Sequence, residues 1–145
     1  METDGRRTGV SRREVILLDT HIWLWWVETP ERLVTSIQEA IEKAASENSV
    51  VVSVASVMEI AIKVAAGRMH LSRDLVSWVA LASSYPGVVI ETITSDDAIS
   101  SGLLPPPLHR DPFDRLLIAI SQRIGAPLAT VDPRILAYPH VRTIT

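Results

Sequence analysis

Apolar residues along this chain fall into five short runs with little alternation between apolar and polar positions. The runs are rich in valine, isoleucine and leucine. Strands that are buried on both faces have this pattern, because neither face of the sheet meets water. The pattern predicts β-strands at residues 15–18, 50–54, 88–93, 128–131 and 141–144.

Helical spacing of apolar residues fills the segments between these runs. The first such pattern begins near Leu33, where Thr35 or Ser36 is the expected N-cap. A helix is also expected to open at Asp111-Pro112, because aspartate is a good cap and proline fits the first helical position. Further helices are predicted over residues 56–66, after Ser72 and after Ser95.

Alternation of strands and helices predicts an α/β fold with a central, parallel, five-stranded sheet flanked by helices. The length of 145 residues suits one domain with one core. We expect residues 14–145 to form that domain and residues 1–13, which are polar and arginine-rich, to form a mobile N-terminal tail.

Composition narrows the class of protein. Hydrophobic residues make up 47% and charged residues 21%, as is usual for globular domains. No cysteine is present, so disulfides and thiolate zinc sites are excluded. No apolar stretch is long enough to cross a membrane. We therefore expect a cytoplasmic protein with no membrane partner.

Charge alone does not favour nucleic acid as a partner. The net charge is −3, and because four of the basic residues lie in segment 1–13 the remaining chain is more acidic still. Proteins that bind nucleic acid by basic charge carry an excess of lysine and arginine instead. Nucleic acid stays a possible partner only if bound cations offset a cluster of acidic residues.

Acidic residues do recur at one edge of the predicted sheet. Asp19 follows the first strand, Glu59 lies in the helix after the second, and Asp132 follows the fourth. Asp111 and Asp114 open the helix that runs back into the fourth strand, so they belong to the same edge. Ligands of open α/β sheets bind at this carboxyl edge.

Each acid also has an ordinary structural interpretation. Asp19, Asp111 and Asp132 all precede possible helix starts and can serve as caps. Glu59 has an ion-pair spacing to Lys63. Taken together, however, the convergence favours a metal site, because like charges destabilise one another unless a cation offsets them. Mg²⁺ takes one or two carboxylates and leaves positions for phosphate oxygens.

Four segments carry a family resemblance: ILLDTH at 16–21, VMEIAIK at 57–63, HRDPFDR at 109–115 and TVD at 130–132. In order and spacing they resemble the acidic motifs of PIN-domain proteins, and in particular the VapC toxins of toxin–antitoxin pairs. The resemblance covers nearly the whole chain, from residue 15 to residue 145. No acid of the family pattern is missing, so we expect activity.

The resemblance implies a ribonuclease that hydrolyses single-stranded RNA with Mg²⁺ or Mn²⁺, forms a homodimer and is silenced by a cognate antitoxin. The implied catalytic and metal-binding residues are Asp19, Glu59, Asp114 and Asp132. A supporting set contacts these acids or the substrate: Thr20 and Thr130 as orienting hydroxyls, Asp111 chiefly as a cap, and Lys63, Arg110 and Arg115 as candidate phosphate contacts. His21 and His109 flank the acids and are expected to have a structural or substrate-orienting role.

Other classes fit less well. A dehalogenase-like phosphatase needs a second aspartate where His21 stands, and a receiver domain needs an aspartate directly after the third strand. Two alternatives stay open: a nuclease of this fold outside any toxin system, and a non-catalytic module that only binds RNA or an antitoxin. Neither the RNA target nor the antitoxin is encoded in a recognisable motif.

Overall fold

The computed structural model describes residues 14–145, so the predicted mobile tail at residues 1–13 lies outside the described residues. The described chain forms one five-stranded sheet in the order β3-β2-β1-β4-β5, and every neighbouring pair is parallel. The prediction of a parallel, five-stranded α/β fold is confirmed. The strands are β1 Ile16–Leu18, β2 Val50–Ser53, β3 Val88–Glu91, β4 Leu128–Ala129 and β5 Thr143–Ile144.

Helices connect the strands and cover both faces of the sheet. A 3₁₀ turn at Pro30–Arg32 separates the first two helices. The helices are α1 Thr20–Glu28, α2 Thr35–Ser46, α3 Val54–Ala65, α4 Leu75–Ser83, α5 Ser95–Gly102, α6 Pro112–Ile124 and α7 Pro133–Leu136.

The central strand β1 divides the core into two parts. Its fully buried residues alternate between the faces: Ile16 and Leu18 pack in one apolar cluster and Leu17 in the other. Leu17 is also in register with Val51 of β2 on one side and Leu128 of β4 on the other. The chain leaves β1 towards β2 but reaches β4 only later, so the strand order reverses between β1 and β4. Such a switch point is where ligands bind.

One expectation about burial is wrong. Strand β3 was expected to be buried on both faces, but Val89 and Ile90 are exposed because β3 is an edge strand. The largely apolar helix α3 is also exposed on one face, where Val54, Met58 and Ile62 form a stripe. The four-residue spacing of these three residues places them above one another on the helix.

Helix starts differ from the predictions by one or two residues. The N-cap of α2 is Val34, and neither Thr35 nor Ser36 caps it because both already lie in the helix. Helix α3 begins at Val54, where the side chain of Ser53 accepts a hydrogen bond from the next turn. The helix predicted from Asp111-Pro112 is confirmed, with Gly125 in a left-handed conformation at its end.

Candidate active site

A cavity of about 420 Å³ opens at the carboxyl edge of the sheet. Its walls come from the loop after β1, from α3, from the start of α6 and from the loop after β4. The acids predicted from the sequence all line it: Asp19, Glu59, Asp111, Asp114 and Asp132. Residues distant in sequence are therefore brought together in one pocket, which we call the acid pocket.

Asp19 is held on both carboxylate oxygens. Oδ1 accepts a hydrogen bond from the backbone N–H of Thr20 at 2.7 Å, so Asp19 caps helix α1. Oδ2 accepts one from the hydroxyl of Thr130 at 2.7 Å, which ties the end of β1 to the end of β4. Burial raises the pKa of Asp19, although both hydrogen bonds oppose the rise, and the charge of Glu59 adds to it.

Asp114 projects from the first turn of α6 and is also buried. Its Oδ2 is hydrogen-bonded to Nε2 of His109 at 2.6 Å. The pKa of Asp114 is raised to about 6, mainly by burial and to a smaller extent by the charges of Asp111 and Asp19, while His109 opposes the rise. Burial close to other acids makes a carboxylic acid hard to ionise.

Glu59 lies one turn into α3 with its side chain only 7% exposed. Its Oε2 accepts a hydrogen bond from Nζ of Lys63 at 2.7 Å, so the ion pair expected from the spacing is present. Its Oε1 is buried and has no hydrogen-bond partner among the described residues. A buried carboxylate oxygen without a donor is unfavourable, and a cation bound at this position would satisfy it.

Asp132 is more accessible than the other three predicted catalytic acids, Asp19, Glu59 and Asp114. It caps the short helix α7 through the backbone N–H of Arg134, and it also accepts a hydrogen bond from Nη2 of Arg134 at 3.1 Å. Burial works to raise the pKa of Asp132, but the hydrogen bonds and charge of Arg134 outweigh it and lower the pKa. The same Nη2 lies 3.6 Å from Oδ2 of Asp114.

Arg134 is a pocket residue that the sequence interpretation missed. It lines the acid pocket between two of the acids, and its side chain is 58% exposed. The only available signal was its position two residues after Asp132, where a long side chain at the start of a helix reaches back to the cap.

Asp111 behaves mainly as the expected cap. Its Oδ1 accepts hydrogen bonds from the backbone N–H groups of Phe113 and Asp114 at 2.9 and 3.1 Å. That geometry directs one oxygen into the helix end, and it orients the first turn that carries Asp114.

Two residues of the supporting set need correction. The hydroxyl of Thr20 shares a hydrogen bond with the hydroxyl of Ser56 at 2.8 Å and contacts no carboxylate, because Thr20 has already turned into α1. Arg115 does not point into the acid pocket. Its guanidinium donates to the backbone carbonyls of His109 and Ser101, both at 3.0 Å, so it fastens the loop before α6.

The other flanking residues take different places. Lys63 and His21 line the acid pocket, and Trp25 forms part of its wall with the guanidinium of Arg32 stacked 4.4 Å from its ring centre. Arg110 is exposed and is not among the residues that line the acid pocket. Lys63 is therefore better placed for a phosphate than Arg110 or Arg115.

Residues 14–145 contain no group of three or more histidine, aspartate or glutamate side chains placed to enclose a metal ion. The acids line one pocket but do not form a preformed cage. The reason is visible in their partners: Lys63, His109 and Arg134 each hold one acid. The donor set nevertheless fits Mg²⁺ or Mn²⁺, because these ions are held by few carboxylates and keep several waters, and Glu59 Oε1 lacks a partner.

The family model described as "PIN domain" matches residues 16–141. Over 130 residues the chain is 32% identical to "Ribonuclease VapC22" of Mycobacterium tuberculosis (strain ATCC 25618 / H37Rv), which covers 90% of this chain and 96% of that protein.

Among solved structures, one similar in fold is "Crystal structure of VapBC2 from Rickettsia felis bound to a DNA fragment from their promoter". The match has a TM-score of 0.65 at 16% identity and covers 89% of this chain and 96% of that one. No helix within residues 14–145 has the length and apolar character needed to cross a membrane.

Proposed function

The chain belongs to the PIN-domain family, and on this basis we propose that it is a metal-dependent endoribonuclease that hydrolyses single-stranded RNA and serves as the toxin of a toxin–antitoxin pair. The observation that carries the proposal is the acid pocket itself. Five carboxylates from distant parts of the chain line one cavity at the switch point of the sheet. The similarity to a protein named as a ribonuclease supports the same reaction class.

The proposed ligands of Mg²⁺ or Mn²⁺ are Asp19, Glu59, Asp114 and Asp132. When bound, such a cation neutralises the carboxylates, lowers the pKa of water for attack on phosphorus and stabilises the charge that develops in the displacement. Thr130 and His109 fix one oxygen each of Asp19 and Asp114. Groups that orient a ligand in this way tune both its direction and its basicity.

The cationic side chains are proposed to exchange partners during the reaction. Lys63 and Arg134 offset Glu59 and Asp132 in the described structure. With a divalent cation bound to these acids, Lys63 and Arg134 would be available to phosphate oxygens of the RNA. Thr20 ties the start of α1 to Ser56 of α3, Asp111 holds the start of α6, and Arg115 holds the loop that carries His109.

Hydrolysis is tested with purified protein and labelled single-stranded RNA. Cleavage should need Mg²⁺ or Mn²⁺, stop with chelator and leave a 5′-phosphate, because water attacks the phosphorus. A 2′,3′-cyclic phosphate would mean that the RNA's own 2′-hydroxyl attacks, and would exclude this mechanism.

The matched variants are Asp19→Asn and Asp96→Asn, both aspartates at a helix start. Asp19→Asn should lower the cleavage rate by orders of magnitude while the protein stays folded, whereas Asp96→Asn, which is exposed and outside the pocket, should cleave normally. Unfolding of Asp19→Asn would instead show that this residue is only a structural cap. An active protein that never impairs growth would support the alternative of a nuclease outside any toxin system.

We propose two partners for this chain. The first is an antitoxin that binds near the acid pocket, and the second is another copy of the chain. The exposed stripe of Val54, Met58 and Ile62 on α3 supports a homodimer, because apolar side chains in a row favour a protein interface.

Expression of the chain alone should slow bacterial growth, and co-expression of its antitoxin should restore it. Met58→Glu should lower the mass measured by light scattering from dimer to monomer. An unchanged mass would show that the stripe is not part of a dimer interface. The proposed site of action is the cytoplasm, where RNA substrates occur.

A further inference from the structure

A second cavity of about 410 Å³ adjoins the acid pocket. Arg134 lines both cavities, and His109, which lines the second cavity, is bonded to Asp114 of the first. No carboxylate lines it within the described residues. We call it the side cavity, and its lining residues are Pro107, Leu108, His109, Arg134, Ala137 and Tyr138.

The lining of the side cavity is mostly apolar and includes Pro107, Leu108 and Ala137. Tyr138 also lines it, but Tyr138 is only 3% exposed and its hydroxyl donates a hydrogen bond to the carbonyl of Pro105 at 2.8 Å. The imidazole of His109 and the guanidinium of Arg134 add two planar groups at the boundary with the acid pocket.

The loop between α5 and α6, which carries Pro107 and Leu108, is held in place. Arg115 donates to the carbonyls of Ser101 and His109, and Tyr138 donates to the carbonyl of Pro105 between them. The loop is therefore fastened at Pro105 and His109, and the bond to Ser101 ties Arg115 to the end of α5. Binding to a wall that is already ordered avoids the entropy loss of ordering it.

We propose that the side cavity binds a nucleobase of the RNA, from a nucleotide next to the phosphate that is cleaved. The proposal rests on the proposed function. Unstacked bases of single-stranded RNA are recognised by stacking on aromatic rings and on arginine planes. The acid pocket with its cation suits the phosphate, and the adjoining cavity, which lacks carboxylates, suits the base. Arg134 lies between the two and can contact either.

Binding of single nucleotides tests this directly and does not depend on cleavage. In the presence of Mg²⁺, each of the four 5′-nucleoside monophosphates is titrated into ¹⁵N-labelled protein, with ribose 5-phosphate as the probe that lacks a base. The nucleotides should shift the amide signals of Leu108, His109, Ala137 and Tyr138. Ribose 5-phosphate should shift signals of the acid pocket only. Equal shifts of these four amides by both kinds of probe would overturn the proposal.

A matched pair of variants sharpens the test. Ala137 and Ala66 are both exposed alanines at the C-caps of helices, and only Ala137 lines the side cavity. Base stacking contributes about 1–3 kcal/mol, so Ala137→Glu should raise the Kd for nucleotides about tenfold. Ala66→Glu should leave it unchanged.

Ala137→Gln, which adds bulk without charge, should also weaken nucleotide binding. Weakening by Ala137→Glu alone would show that only distant charge matters and would contradict base binding. An unchanged Kd for nucleotides in folded Ala137→Glu protein would also contradict base binding. RNA cleavage by the wild-type protein tests the proposed function separately. A nuclease without a base site would cleave RNA but show no base-dependent binding, and a base site without nuclease activity would show the binding but no cleavage.

Discussion

Burial of Asp114 beside other acids predicts that Asp114→Asn changes how stability depends on pH. In the metal-free protein the pKa of Asp114 is raised from 3.8 to about 6, mainly by burial. The unfolded chain therefore loses this proton at lower pH than the folded chain does. Wild-type stability from this group is complete below pH 4 and is lost as the pH rises through 6. The asparagine variant cannot show that loss.

The magnitude follows from the size of the shift. One pKa unit corresponds to about 1.4 kcal/mol, so the shift amounts to about 3 kcal/mol at most. The Asp114 side chain is 9% exposed on the open side of the pocket, and screening by solvent lowers the expected effect to about 2 kcal/mol. The variant should therefore gain about 2 kcal/mol relative to wild type between pH 4 and pH 8.

The assay is urea unfolding of both proteins in chelator at pH 4 and pH 8, which gives a free energy of unfolding for each. Loss of the His109 hydrogen bond also changes the free energy of unfolding of the variant. The part of this change that does not depend on pH cancels when the difference between variant and wild type at pH 4 is compared with that at pH 8. Asp96→Asn is the control and should show no such change. If the difference between wild type and Asp114→Asn were the same at both pH values, the argument that burial beside other acids opposes ionisation of Asp114 would be refuted.

Three further predictions concern the framework of the site. Asp111→Ala should lower the free energy of unfolding by about 1 kcal/mol, as expected for a lost cap, with a smaller loss of RNA cleavage than Asp114→Asn causes; the reverse order of activities would reassign the third ligand. Arg123→Met should lower the free energy of unfolding by about 3 kcal/mol, because it leaves buried Asp97 without its 2.7 Å partner, and a loss well below 1 kcal/mol in urea would contradict this. Arg115→Ala should leave Mg²⁺ binding by calorimetry intact but raise the KM for RNA, since it releases the loop before α6; an unchanged KM would show that the loop needs no fastening.

The fold was predictable because each element has a local cause in the sequence. The apolar runs set the strands, and the Asp111-Pro112 pair set the start of α6. The convergence of the acids followed from topology alone, since the carboxyl ends of parallel strands share an edge. The prediction of burial was wrong at the sheet edge, as at Ile90. An apolar run in the sequence does not tell whether its strand lies at the centre or at the edge of the sheet.

Contacts of individual side chains were less predictable. Thr20 and Arg115 stand beside acids in the sequence, but each turns to another partner because helix geometry directs its side chain away. Arg134 entered the acid pocket only because α7 begins at the cap residue Asp132. Such directions depend on the angles between elements that are distant in sequence.

The hydrogen bond between Thr130 and Asp19 joins residues 111 positions apart. During translation, a nascent chain that carries Asp19 but not yet Thr130 and Asp132 lacks part of the acid pocket. Domains fold as units when their residues become available. Each nascent copy of the proposed toxin is therefore expected to lack RNA cleavage until its segment around β4 has emerged from the ribosome.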